Sequence, residues 1–341
     1  MPGAAPGEAI AVIGGGSWGT ALAIQFARSG RPTLLWGRAE DDPEGMQQAR
    51  ENTRYLPGAK FPDNLRVDPD LGRVLESAPV VVVAVPSHAF RAMLTAMKPL
   101  MRAETRLAWA TKGFELETGL LPHQVARQVL GPGTAMAVLS GPTFAREVGM
   151  GLPTAMTIAA NDEAYARELA ENLSGDSFRA YTSSDIIGVE VGGAVKNVLA
   201  IGAGICDGLG FGANTRVALI TRGLVEMTRL GIALGAQPAT FMGLAGMGDL
   251  VLTCTDDQSR NRRMGLALAA GKTRSEAERE IKQVVEGVLA AEAVRRVAQK
   301  AGVEMPICEQ IYRILYEDAH PKEAVVALMK RELKSEFAPG G

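Results

Sequence analysis

The chain has 341 residues, 22% of them charged, and carries a formal net charge of −2. That length admits about two domains, each with its own core, and near-neutrality without a basic stripe excludes a nucleic-acid partner held by phosphate neutralisation. The opening, Met1 to Glu8, lacks a basic n-region and an apolar h-region, and glycines and charges interrupt every apolar run before bilayer length, so neither secretion nor membrane insertion is expected.

Residues 10–20, Ile-Ala-Val-Ile-Gly-Gly-Gly-Ser-Trp-Gly-Thr, read as an apolar strand, a glycine-rich turn and the start of a helix. Gly14, Gly16 and Gly19 form Gly-x-Gly-x-x-Gly: one glycine for the tight turn, one for close approach of a pyrophosphate, one for helix-on-strand packing. Glycine spacing alone is a weak signal, because turns of many kinds collect glycine. Its setting is informative: an apolar strand precedes it, an amphipathic helix over 21–28 follows, and 33–37 returns as a second strand. Such a unit binds a dinucleotide, with the helix N–H groups and positive dipole end facing the phosphates.

Further along, 42–53 reads as a helix, and 56–63, punctuated by Pro57, Gly58 and Pro62, as an irregular surface insertion. The apolar run 80–85, stopped by Pro86, suits a strand buried on both faces of a parallel sheet. Runs at 107–111, 135–139, 154–159 and 178–181 repeat the theme, with helical spacing at 90–97, 119–130 and 163–173. This alternation predicts a doubly wound α/β domain over residues 1–184. From Ser184 the strand signal stops, and helical periodicity runs through 186–205, 215–234, 259–270, 286–301, 308–317 and 321–332. An all-helical domain over 185–338 is expected, with no internal repeat and low complexity confined to the terminal glycine and proline.

Ligands of such sheets bind beyond the carboxyl ends of the strands. The residues there are Gly37-Arg38, Pro86-Ser87-His88, Lys112-Gly113 and Ser140-Gly141-Pro142-Thr143. Arg38 stands where an acid usually receives the ribose 2′-hydroxyl, so it is either a 2′-phosphate partner favouring NADP or a solvated arginine; Asp41 and Asp42 just beyond keep NAD in play. Lys196 lies mid-way along a glycine- and alanine-rich apolar helix with Asn197 beside it. Either it snorkels from the helix surface, or it faces a cleft and exchanges a proton with substrate. Lys112 is a second candidate for that cleft.

Asp249, within Gly246-Met247-Gly248-Asp249-Leu250, is either a turn or cap aspartate or the anchor of a lysine ammonium. Ser259-Arg260-Asn261-Arg262-Arg263 is either a solvated charge run or a helix start suited to a phosphate monoester. His88 is either a catalytic acid or base or, having no visible partner, a structural histidine, the commoner case. Cys206, Cys254 and Cys308 are widely spaced and lack C-x-x-C, which fits buried apolar thiols in a reducing cytoplasm rather than metal or redox motifs.

Taken in order, residues 12–20, Val85-Pro86-Ser87-His88, Trp109-Ala110-Thr111-Lys112-Gly113, Ser140 to Ala145, Gly192-Gly193-Ala194-Val195-Lys196-Asn197, 246–250 and 259–263 span the chain nearly end to end. In them the sequence resembles the bacterial-type NAD(P)-dependent glycerol-3-phosphate dehydrogenases, which reduce dihydroxyacetone phosphate to sn-glycerol 3-phosphate for phospholipid synthesis. The resemblance implies a Rossmann-type N-terminal domain, a C-terminal domain like that of 6-phosphogluconate dehydrogenase, NADP (NADPH) or NAD as cofactor, and a cytoplasmic homodimer. It implies that Lys196 is the proton acceptor in the oxidative direction and that Lys112 contacts both cofactor and substrate. To the cofactor it assigns Gly14, Gly16, Ser17, Trp18, Gly19, Arg38, Ala145, Arg260, Val284 and Glu286; to the substrate, Gly141, Thr143, Lys196, Asp249, Ser259, Arg260 and Asn261. Departures are mild: Gly15 is often alanine and Trp18 another aromatic.

The reaction expected from these residues transfers hydride to C2 while Lys196 as ammonium protonates the forming alkoxide, Asp249 orients the lysine, and Arg260 with Asn261 anchors the phosphate. Two other readings stand beside it. A related dehydrogenase of a hydroxy acid or sugar acid would need a carboxylate clamp. An NAD(P)-sensing module would bind cofactor without turnover.

Overall fold

The structure, a computed structural model, describes residues 8–332. The opening segment before Glu8, residues 333–338 of the expected second domain and the terminal glycine and proline lie outside the described residues.

Strands β1 (Ile10–Ile13), β2 (Thr33–Trp36), β3 (Leu65–Val67), β4 (Val80–Val83), β5 (Arg106–Trp109), β6 (Met136–Ser140), β7 (Thr154–Ala160) and β8 (Phe178–Ser183) form one sheet in the order β3-β2-β1-β4-β5-β6-β7-β8. Neighbours are parallel except β6 and β7. β1 pairs with β2 on one side (Ile10 with Thr33) and β4 on the other (Ile10 with Val80), and every residue of β1 and β4 is buried. Apolar, largely β-branched strands covered on both faces produce such continuous runs. Strand order reverses at β1, which puts the glycine-rich turn at the topological switch point where open α/β sheets receive ligands.

The helices of this part are α1 (Ser17–Arg28), α2 (Pro43–Ala49), α3 (Leu71–Ser77), α4 (Ser87–Met97), α5 (Pro122–Leu130), α6 (Ala145–Met150) and α7 (Glu163–Leu173). By contacts the chain forms two compact units: the chain up to Lys112 with Leu121–Val189, and Gly113–Leu120 with the chain from Glu190 onward.

No strand follows β8 among the described residues. The remaining helices are α8 (Ile186–Gly208), α9 (Gly212–Ala233), α10 (Asp249–Thr255), α11 (Arg260–Ala269), α12 (Arg274–Ile281), α13 (Glu286–Ala301), α14 (Pro306–Tyr316) and α15 (Pro321–Met329). α8 is long and apolar enough to cross a membrane, but 89% of that stretch is buried inside the protein, as in a core helix. Its glycines admit neighbouring backbone: a Cβ at Gly192 would lie 2.4 Å from the Ala245 carbonyl oxygen, and one at Gly204 2.1 Å from that of Arg262.

Several expectations need correction. The helix over 42–53 stops at Ala49, because Arg50 takes a left-handed conformation (φ 52°) and ends it. The helix over 119–130 begins only at Pro122, whose fixed φ suits a first turn. Residues 56–63 are no surface insertion: Leu56, Ala59 and Phe61 are buried in the core. The glycine-rich run before Asp249 is a π-helical turn (Leu244–Gly248) continuing into α10 rather than a loop turn.

Candidate active site

The first unit collects the glycine-rich residues at the carboxyl end of β1. Gly14 has φ 136°, and a Cβ there would lie 2.6 Å from the Ala84 carbonyl oxygen at the exit of β4. A Cβ at Gly19 would lie 2.0 Å from the Gly14 carbonyl, so α1 can sit against the turn only as glycine. At Gly16 the opposite holds: a Cβ would meet nothing within 4 Å. Gly16 is also the N-cap of α1 and offers no side-chain cap, so the first-turn N–H groups of Ser17, Trp18 and Gly19 look for an acceptor that the chain does not supply from that residue. The indole Nε1 of Trp18 is buried without a hydrogen-bond partner. An open side, uncapped N–H groups and an orphan donor fit a pyrophosphate-bearing dinucleotide.

At the end of β2, the Arg38 side chain is 64% exposed, while its backbone N–H (3.0 Å) and Nε (3.4 Å) donate to Asp41 Oδ2. The hydrogen bond to Asp41 raises the guanidinium pKa above its ordinary value. Asp41 is buried against Arg38, and Asp42 accepts from Gly45 N–H as the cap of α2 (3.1 Å). The exposed charge at this strand end is mixed, with the Arg38 guanidinium 3.4 Å from Asp41 and 4.0 Å from Glu40, whose side chain is 75% exposed.

Lys112 follows β5, half-buried, and the preceding Thr111 hydroxyl donates to the Val85 carbonyl at 2.7 Å, tying the loops after β4 and β5 together. After β6, Gly141 is buried, the Thr143 hydroxyl donates to the Gly141 carbonyl (3.2 Å), and Ala145 opens α6. His88 is exposed in the first turn of α4.

The second unit holds the lysine. Lys196 is 7% exposed, and its Nζ forms an ion pair with Asp249 Oδ1 and donates to Thr253 Oγ1 at 3.0 Å. Asp249 is 1% exposed, and the Thr253 hydroxyl donates to the Asp249 carbonyl (2.6 Å). The snorkelling alternative is thus excluded. The π-helical turn delivers Asp249 as the first residue of α10, where a carboxylate is favoured by the helix dipole, and Thr253 lies one turn on, over the same face. Such turns recur at functional sites because they re-aim one side chain without ending the helix.

A second network joins α8, α11 and α13. Asn261 Nδ2 donates to Asn197 Oδ1 (2.9 Å), the Gly287 N–H donates to Asn261 Oδ1 (2.8 Å), and Asn197 Nδ2 lies 3.4 Å from Glu286 Oε2. Ser259 caps α11 by accepting from the Arg262 N–H (3.2 Å), so its hydroxyl is part of the helix start as well as a candidate ligand. Arg262 is buried and committed to Asp207, Asp257 and the Cys254 carbonyl. Arg260, half-buried, occupies the first position of α11, and Val284 is 45% exposed. Burial pushes the Cys206 thiol up to about 11 and Cys254 to about 12, which leaves both unreactive. No group of His, Cys, Asp and Glu among the described residues could hold a metal ion.

Residues 9–166 match the family model of the NAD-dependent glycerol-3-phosphate dehydrogenase N-terminus, and residues 185–326 that of its C-terminus. The chain is 56% identical over 329 residues to a glycerol-3-phosphate dehydrogenase (NAD(P)+) of Aeromonas hydrophila, covering 96% of this chain and 98% of that one. It is 55% identical to the same enzyme of Aeromonas salmonicida, with equal coverage. The crystal structure of a glycerol-3-phosphate dehydrogenase from Coxiella burnetii superposes with a TM-score of 0.92 at 48% identity, over 95% of this chain and 99% of that one.

Proposed function

The chain belongs to the NAD-dependent glycerol-3-phosphate dehydrogenase family, and from that premise we propose which of its residues carry the reaction. It is an oxidoreductase that uses NADPH or NADH to reduce dihydroxyacetone phosphate to sn-glycerol 3-phosphate, the backbone of phospholipids. When bound, the reduced nicotinamide supplies the hydride.

In our reading Gly14, Gly16, Ser17, Trp18 and Gly19 receive the pyrophosphate on backbone N–H groups, Arg38 pairs with a 2′-phosphate where present, and Ala145, Arg260, Val284 and Glu286 complete the cofactor contacts. Lys196 donates its proton to the C2 oxygen of dihydroxyacetone phosphate. Asp249 and Thr253 fix where that ammonium sits, and Lys112 adds a second positive charge for the oxygen as it becomes an alkoxide. Gly141, Thr143, Ser259, Arg260 and Asn261 hold the substrate, with the guanidinium and amide on its phosphate so that C2 stays in register.

The observation that carries this reading is the buried cluster of Lys196, Asp249 and Thr253. Lys196 is the sole lysine among the buried polar side chains of the described residues. Burying an ammonium costs several kcal/mol unless it is paired, and a paired, oriented ammonium is what reduction of a ketone to an alcohol requires. We further propose residues 1–184 as the cofactor domain and 185–338 as the substrate domain, a homodimer, and a cytoplasmic location, the last supported by three buried unpaired thiols. The test is NADPH and NADH oxidation followed at 340 nm with dihydroxyacetone phosphate and, separately, with 2-keto acids. Turnover of the first substrate alone is expected. Turnover of a keto acid and indifference to dihydroxyacetone phosphate would overturn the assignment.

A further inference from the structure

Asn52 lies in the segment between α2 and β3, and its side chain is fully buried. One Nδ2 proton goes to the Gly15 carbonyl (2.9 Å) and the other to the Thr20 hydroxyl (2.8 Å), while Oδ1 accepts from the Tyr55 N–H (3.1 Å). Both donors and one acceptor position of the amide are engaged, and two of the partners lie in the glycine-rich turn and the first turn of α1.

The consequence follows from peptide geometry. In a trans peptide the carbonyl of Gly15 and the N–H of Gly16 point in opposite directions, so drawing the carbonyl inward onto Asn52 turns the Gly16 N–H outward. A Cβ on Gly16 would meet nothing within 4 Å, so the turn is open beside that residue.

The segment that presents Asn52 is itself pinned. Its carbonyl accepts from the Leu56 N–H (2.9 Å), Arg50 donates to the Leu65 carbonyl (2.7 Å), the Phe61 N–H donates to the Arg50 carbonyl (2.9 Å), and the Gly58 N–H donates to Glu51 Oε1 (2.8 Å). On its far side Leu56 packs on α6 so closely that a Cβ at Gly149 would lie 2.8 Å from Leu56 Cδ2. The amide therefore meets the turn as a fixed template rather than following it.

We propose that Asn52 is a positioning residue for the dinucleotide: by holding the Gly15 carbonyl it aims the Gly16 N–H at the pyrophosphate before cofactor arrives. This rests on the cofactor-site reading above. Asn52 contacts the turn only from behind, so it affects binding through preorganisation and leaves the proton-transfer residues alone.

The experiment measures Kd for NADPH and NADH by calorimetry, kcat at saturating cofactor, and amide exchange in the turn of the cofactor-free protein, for the full-length wild type, Asn52→Ala, Thr20→Val and Thr20→Ser. Asn52→Ala should weaken both nucleotides by the same factor, about tenfold, as expected for losing buried hydrogen bonds, with kcat within about twofold and faster exchange at Gly16. Thr20→Val should weaken both by about threefold, and Thr20→Ser, which keeps the hydroxyl, should bind as wild type. Asn52→Ala that folds and binds both nucleotides as tightly as wild type overturns the proposal, as does a fall in kcat with Kd unchanged. If Asn52→Ala does not fold by circular dichroism, Thr20→Val decides: wild-type Kd for both nucleotides overturns it. A wild type that binds neither nucleotide removes the cofactor-site reading itself.

Discussion

Replacing Asp249 with alanine takes the carboxylate away from the Lys196 ammonium inside the helical core and leaves the Thr253 hydroxyl beside it at 3.0 Å. Truncating one member of a buried ion pair costs about 3–5 kcal/mol, and solvent screens little of it here because Lys196 is 7% and Asp249 1% exposed. Thr253 offsets about 1 kcal/mol of that. At about 2–4 °C per kcal/mol for a unit of this size, the melting temperature should fall by roughly 5–15 °C. Replacing both residues with apolar ones of similar volume, Lys196→Met with Asp249→Leu, removes the charge together with its partner and should recover most of that loss. Neither variant should turn over substrate. Thermal unfolding by circular dichroism, read beside the 340 nm assay, separates the two effects. An Asp249→Ala protein melting with wild type, or a double variant no more stable than Asp249→Ala, would refute the claim that this lysine is a buried charge held by this aspartate.

Burial pushes the Glu226 carboxyl from 4.5 up to about 7, against the N–H groups of Ile307 and Cys308 that donate to it. A carboxyl raised in the folded state contributes stability that is full below the unfolded value and lost as pH rises through the folded one. The unfolding free energy from urea titration should therefore decline between about pH 4.5 and 7 by up to about 3 kcal/mol from this group, and Glu226→Gln should flatten that slope; an unchanged slope counts against it. Gly192→Ala puts a Cβ 2.4 Å from the Ala245 carbonyl, so α8 must retreat from the turn that presents Asp249. It should lose about 1–3 kcal/mol by urea titration and turnover with it, whereas Gly133→Ala, with nothing within 4 Å, should stay within about 0.5 kcal/mol. Arg38→Ala should raise KM for NADPH by about tenfold and leave NADH within about twofold; equal changes for both would show that Arg38 does not meet a 2′-phosphate.

The long apolar elements were legible because burial on both faces leaves an uninterrupted pattern. β4, the Val80–Val83 run, and α8 announce themselves that way, and the glycines of the first turn could be read from the backbone contacts they permit. Short elements carry too few residues for a period to emerge: β3 has 3 residues, α3 has 7 and α6 has 6. The antiparallel β7 has no composition distinct from its parallel neighbours.

In the candidate site, Lys196 stood out as a charge in an apolar helix, but Thr253 did not, since its role depends on 249–255 being helical and the glycines before it suggest a turn. Asn52 was hidden by the same cause. It lies beyond a helix that ends four residues earlier than its spacing suggests, at a left-handed Arg50, and in a loop whose proline and glycine suggest exposure while Leu56 and Ala59 are core.

Proton donation by Lys196 is tested most directly by Lys196→Ala assayed at saturating NADPH and dihydroxyacetone phosphate, with NADPH affinity measured on the same preparation. The expected result is an NADPH Kd within about twofold of wild type and a kcat lower by at least about 10²-fold, the scale of general acid catalysis. A variant that binds NADPH and turns over near the wild-type rate would contradict the account.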